Sequence, residues 1–209
     1  AKQNDSYSYN GSSEDSITNR GKAEAKEGFG WKGNIKYLVF TGSVSKWHGV
    51  DYLIRLQEEF NSNNDQIKIV VGGGSLKNYD VEGLCLNFTP LDESDCSLLI
   101  RAADACLLPV KANRSSPGSP LKLYDYIVNK RYIIAQDIEG YSDEVLKYGL
   151  GIALDFKDPK LTRRLIVNYL GTLDEDSDAN YPATSVSWAD RMSFWVTSLE
   201  SIIKRKWLF

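Results

Sequence analysis

Six short apolar runs, most of them followed by an amphipathic segment, organise this chain: residues 36–41, 67–71, 84–88, 105–110, 131–135 and 151–154. Runs this short and this uniformly apolar suit strands buried on both faces rather than strands with one wet side. Helical patterns lie at 50–60, 94–103, from 120 onward, and at 141–147 and 159–170. In the first of these, Val50, Leu53, Ile54 and Leu56 share one side. Strands alternating with helices form a parallel sheet covered on both faces. Right-handed crossovers then leave an α/β, doubly wound, Rossmann-like sheet of about six strands.

The flanks read differently. Residues 1–30 are polar and poor in aliphatic side chains, which predicts a linker or tail with a short helix around 19–27. Compact structure is expected from near Ile35, within a domain spanning 31–184. Residues 171–184 read as an acidic connection, and 185–209 as a last amphipathic helix. On that helix Trp188, Met192, Trp195, Leu199, Ile202 and Ile203 recur near helical spacing, suited to packing on this or a neighbouring domain. Packing is the favoured expectation; the basic, aromatic end, Lys204-Arg205-Lys206-Trp207, offers contact with a membrane surface as the lesser alternative.

Composition removes several function classes. The net charge of −3 comes from interspersed acids and bases, with no basic stripe for nucleic acid. Cys85, Cys96 and Cys106 are odd in number and lack metal-ligand spacing, so neither a disulfide framework nor a metal centre is expected. The single histidine, His48, leaves no Ser-His-Asp set. No apolar run reaches membrane-spanning length. A cytoplasmic, soluble chain is the expectation.

In a doubly wound sheet, ligands gather beyond the carboxyl ends of the strands. The loop 111–120 is the most informative one there. Ser119 is placed to cap a helix and Pro120 to be its first residue, since proline lacks the N–H that would go unpaired. The amides of Leu121 and Lys122 then offer an anion site, and Asp125, one turn on, a carboxylate for a sugar hydroxyl. The same pattern also fits an ordinary capped helix. Lys111 and Arg114 flank this loop and add positive charge.

In the loop 42–49, Gly42 permits a close turn, while Lys46 and His48 present donors. His48 could equally pack on Trp47. Gly72-Gly73-Gly74 lacks the third glycine of a dinucleotide fingerprint and reads as a tight turn. Asp137 and Glu139 read as a solvated turn after the fifth strand.

Two stretches together resemble glycosyltransferase family 4: Gly42-Ser43 with Trp47-His48-Gly49-Val50-Asp51-Tyr52-Leu53, and Ser119-Pro120-Leu121-Lys122-Leu123-Tyr124-Asp125-Tyr126. The glycine turn after the second strand, Leu108-Pro109, and Lys147-Tyr148-Gly149-Leu150-Gly151 follow in the same order. The resemblance implies the C-terminal, nucleotide-sugar-binding half of a retaining GT-B enzyme. It implies that Asp125 holds the donor ribose, that Leu121 and Lys122 hold the diphosphate, that Gly42 and Ser43 approach the phosphates, and that Thr89 and Pro90 lie near the base. The family's earlier glutamate falls at Pro117, and its usual first-loop arginine and lysine fall at Ser43 and His48. Lys46 and Lys122 are the candidates to replace that charge at the leaving group. No metal or other cofactor is expected. At 209 residues the chain is too short to hold an acceptor domain as well, so that partner is expected outside it. A non-catalytic nucleotide-binding module of the same fold is the alternative, favoured by Pro117. A dehydrogenase-type domain is the weaker rival.

Overall fold

The computed structural model describes residues 17–45, 47–77, 79, 84–111 and 120–181, with helical positions 192, 193, 196, 197 and 200 beyond them. Six strands, β1 (Lys36–Gly42), β2 (Ile67–Gly73), β3 (Leu86–Phe88), β4 (Ala105–Leu108), β5 (Ile133–Gln136) and β6 (Gly151–Leu154), form one sheet in the order β3-β2-β1-β4-β5-β6. Every pairing is parallel. The order reverses between β1 and β4, which makes their carboxyl ends the switch point of a doubly wound sheet.

The four central strands, β2, β1, β4 and β5, are buried on both faces, with successive side chains pointing to opposite sides. Leu38 and Phe40 of β1, with Ala105 and Leu107 of β4, pack under α2 (Val50–Ser62) and α6 (Pro159–Leu170). Tyr37 and Val39, with Cys106 and Leu108, pack under α3 (Glu93–Ala102), α4 (Leu121–Val128) and α5 (Asp143–Lys147). Asp92 caps α3 by accepting from the Asp95 amide at 2.7 Å, one or two residues earlier than the sequence suggested.

The N-terminal flank holds the expected short helix, but packed on the domain and not as a tail. Helix α1 (Lys22–Gly28) packs on α3 and buries Ala25 fully. Beyond it Trp31 stacks on Tyr37 with ring centroids 4.1 Å apart. Compact structure therefore starts well before Ile35. Polar composition hid this because the helix is held by charge: Lys22 and Lys26 both bind the buried Asp104 carboxylate, at 3.0 and 2.9 Å. Burial pushes that carboxyl's pKa up, yet the two lysines and the Tyr37 amide outweigh it and hold it below its usual value.

The acidic connection after α6 is likewise stapled down. Asp178 is shared by Arg101 and the fully buried Arg131, and Glu175 pairs with Lys36. Of the apolar stripe on the last helix only Met192 lies among the described residues, and it is exposed. Trp188, Trp195, Leu199, Ile202 and Ile203, and the basic end, lie outside them.

Candidate functional site at the strand-order switch

Two connections meet at the switch point, the one leaving β1 and the one leading from β4 into α4. They are fixed against each other. The Lys111 amide donates to the Trp47 carbonyl at 3.0 Å, and Lys111 Nζ pairs with Asp51 at 3.1 Å. Lys111 is thus tied to the first turn of α2.

Helix α4 begins at Leu121. Pro120, with extended ψ of 127°, occupies the cap position and no side chain caps the helix; Ser119, expected there, lies outside the described residues, as do Lys46, Arg114 and Pro117. The correction is one residue, and its cause is Pro120 remaining extended instead of entering the helix. The opening survives it. The amides of Leu121 and Lys122 precede any intrahelical acceptor, while Leu123 already donates to Pro120 at 3.1 Å. Leu121 itself is exposed.

From this opening Lys122 reaches over the end of β1. Its Nζ lies 4.1 Å from the centre of the Phe40 ring. A Cβ added to Gly42 would stand 3.4 Å from it. That nitrogen is buried and hydrogen bonds to nothing among the described residues. Burial lowers its pKa to about 8, against the opposing pull of Asp125 and then Cys96. Asp125 is half-buried on the same side, as the one-turn spacing predicted. A desolvated ammonium without an acceptor, beside open helix amides, is a place prepared for an anion.

Gly42 is at φ +106°, which favours glycine, and Ser43 beyond it is exposed. The His48 Nδ1 donates to the Ser43 carbonyl at 2.6 Å and lies 3.0 Å from Ser45 Oγ. It thus braces the loop's own backbone instead of Trp47, which is exposed. Next along the rim, Gly73 pairs with Gly42, and a Cβ on Gly72 would lie 2.4 Å from Leu99 Cδ2. Gly72 and Gly73 are thus the last residues of β2, kept small by close packing, where the sequence suggested a turn that ended the strand at Val71. Thr89 and Pro90 are exposed at the end of β3, two strands from β1, with Thr89 Oγ1 donating to the Gly73 carbonyl at 3.3 Å.

The sequence reading missed the floor of the site. Cys96 is close enough to Lys122 to interact with it and bonds to Thr41, whose amide donates to the Tyr126 hydroxyl at 3.0 Å, and that hydroxyl donates to the Leu107 carbonyl at 3.3 Å. Pro109, just after β4, was the available signal. Among the described residues no group of three His, Cys, Asp or Glu could hold a metal ion, and no helix is long and apolar enough to cross a membrane.

The sheet order and its helices define the class, a doubly wound Rossmann-like α/β domain, and its fold is that of a domain of GT-B glycosyltransferases. No family model matches the sequence, and no curated protein matches it. Solved structures do. The chain is similar to the sucrose-phosphate synthase of Thermosynechococcus elongatus at 13% identity and a TM-score of 0.72, covering 93% of this chain and 52% of that one. It is similar to HepE of Anabaena in complex with UDP and glucose at 15% identity and 0.62, covering 92% and 54%. It is also similar to the C-terminal domain of the group 1 glycosyl transferase LpcC of Francisella tularensis at 14% and 0.52, covering 74% and 84%. The chain spans about half the length of the first two.

Proposed function

We propose that this chain is the donor-binding half of a retaining, hexosyl-transferring glycosyltransferase of family 4 type, holding a nucleoside-diphosphate sugar for transfer to a glycan or lipid-linked acceptor. One observation carries the proposal. The buried Lys122 ammonium has no hydrogen-bond acceptor among the described residues and stands between the α4 opening and Gly42, at the switch point of the sheet. A diphosphate satisfies both the helix amides and Lys122, and Asp125 is one turn away for the ribose. During bond cleavage the same donors stabilise charge on the departing diphosphate, stronger there than in the ground state. That UDP accompanies HepE, a relative in fold, supports a nucleoside diphosphate over NAD.

On this reading a separate acceptor-binding half completes the enzyme, and this chain alone transfers little or no sugar. Work at the cytoplasmic face of a membrane is part of the proposal, with the basic aromatic end in contact with anionic lipid. Charge at the leaving group falls to α4 and lysines, so UDP should bind equally well in EDTA and in magnesium.

The test is a thermal-shift panel of UDP, GDP, ADP and NAD on the chain, repeated with Asp125→Ala. Stabilisation by one nucleoside diphosphate, weakened in D125A, is expected. Preference for NAD, or no response to any of the four, would sink the assignment. Pro117, where the family has a glutamate, favours the non-catalytic module as a second reading. That module predicts nucleotide binding with no turnover once the other half is supplied.

A further inference from the structure

We infer that Tyr126 is a wedge that sets the width of the crevice between β1 and β4, and so positions the donor site; the second half of this inference rests on the donor-binding reading above. The two strands pair only through Leu38 with Ala105 and Val39 with Cys106. Backbone direction shows what the next rung should be. The Cys106 amide donates to the Tyr132 carbonyl on the β5 side at 2.7 Å, so the polar groups of Leu107 face β1. The Lys36 amide donates to Gln66 on the β2 side, so Tyr37, Val39 and Thr41 face β4. Continuing the register, the Thr41 amide would donate to the Leu107 carbonyl, and residue 109 would donate to the Thr41 carbonyl.

Neither bond of that rung is made directly. Residue 109 is proline and has no N–H to give. The Tyr126 hydroxyl takes the other bond apart and fills it. It accepts from the Thr41 amide at 3.0 Å and from the Thr41 hydroxyl at 3.3 Å, and donates to the Leu107 carbonyl at 3.3 Å. One oxygen thus stands where two backbones would otherwise meet, and it satisfies both the Thr41 amide and the Leu107 carbonyl. The ring is fully buried and comes from α4, four residues after Lys122. The part that spreads the strands and the part that offers the cation are therefore one rigid turn of helix. Gly42 follows Thr41 directly, so the wedge also fixes where the first loop leaves the sheet.

The experiment is Tyr126→Phe, which keeps the ring and deletes only the hydroxyl. Crystal structures of the wild type and Y126F give the Thr41-to-Leu107 separation, and calorimetry gives the affinity for UDP. The expected result is a narrower gap, direct Thr41-to-Leu107 pairing, and a loss of UDP affinity of about tenfold or more, with the thermal midpoint little changed. An unchanged gap overturns the wedge. A narrowed gap with wild-type affinity overturns the positioning role. If the wild type itself binds none of UDP, GDP or ADP, the donor reading fails, and the gap alone decides whether Tyr126 is a wedge. Should Y126F not fold, Pro109→Ala restores an N–H beside the Thr41 carbonyl. It is expected to draw the strands together and weaken UDP severalfold, and no change in either measure would overturn the inference.

Discussion

The Lys122 ammonium lies 4.1 Å from the centre of the Phe40 ring, over the carboxyl end of β1. The ring's negative face is a partial substitute for a hydrogen-bond acceptor, worth about 0.5–2 kcal/mol for a cation. It does not offset burial, because the pKa still falls to about 8. Holding the charge there costs the unliganded fold up to about 3 kcal/mol below that pH. Lys122→Met should therefore stabilise the chain to urea by about 1–3 kcal/mol. The same variant should lose UDP affinity by at least about tenfold, since a charged hydrogen bond is worth roughly 1.5–3 kcal/mol. A destabilised K122M would show that the ammonium is already engaged before ligand binds.

The sign of the pH dependence follows from the same group. Lys122 titrates near 8 when the site is empty, and a bound diphosphate raises that pKa. Below about pH 7 the lysine is charged in both states and adds no pH dependence of its own. Above 8, binding must take up a proton, so affinity falls by up to about tenfold per pH unit. Calorimetry near pH 9 in two buffers of different ionisation heat should show net proton uptake. K122M should show none.

Much of this architecture was legible because it rests on strands with no wet face. The runs around Val39, Val70, Leu107 and Ile134 could be buried only one way. What stayed hidden was held by polar groups whose partners are remote in sequence. Lys22 and Lys26 look like solvated charge until Asp104 is brought beneath them. The strand expected to run to Val110 stops at Leu108, because Pro109 has no amide to continue the ladder. At the site, one-turn spacing was enough to bring Lys122 and Asp125 together on α4. Tyr126 drew no role from the sequence, since nothing local reveals that its hydroxyl meets Thr41 of β1, far away in the chain.

Gly42 should couple to Lys122. Its φ of +106° disfavours any L side chain, at roughly 1–2 kcal/mol. An added methyl also sits 3.4 Å from Lys122 Nζ, on the side where the phosphate is to bind. Gly42→Ala should lower UDP affinity about tenfold. In the K122M background, where the cation is already gone, the further loss should be markedly smaller. Additive losses in this double-mutant cycle would mean that the two residues do not share a ligand.

Far from the switch point, Asp178 should matter for folding alone. It is the carboxylate common to Arg101 and Arg131, and Arg131 is fully buried. Removing one partner of a buried pair strands the other, so Asp178→Ala should cost about 3–5 kcal/mol. Burial pushes the Asp178 carboxyl up, but the two guanidiniums outweigh it and hold the pKa below its usual value. A depressed carboxylate contributes stability that is present above its unfolded pKa, near 4, and is lost as pH falls through the folded one. Wild type should therefore lose stability in acid over that range, and D178A should lose less. At a temperature where both are folded, UDP should bind them equally. A change in UDP affinity in D178A would tie the stapled segment after α6 to the site.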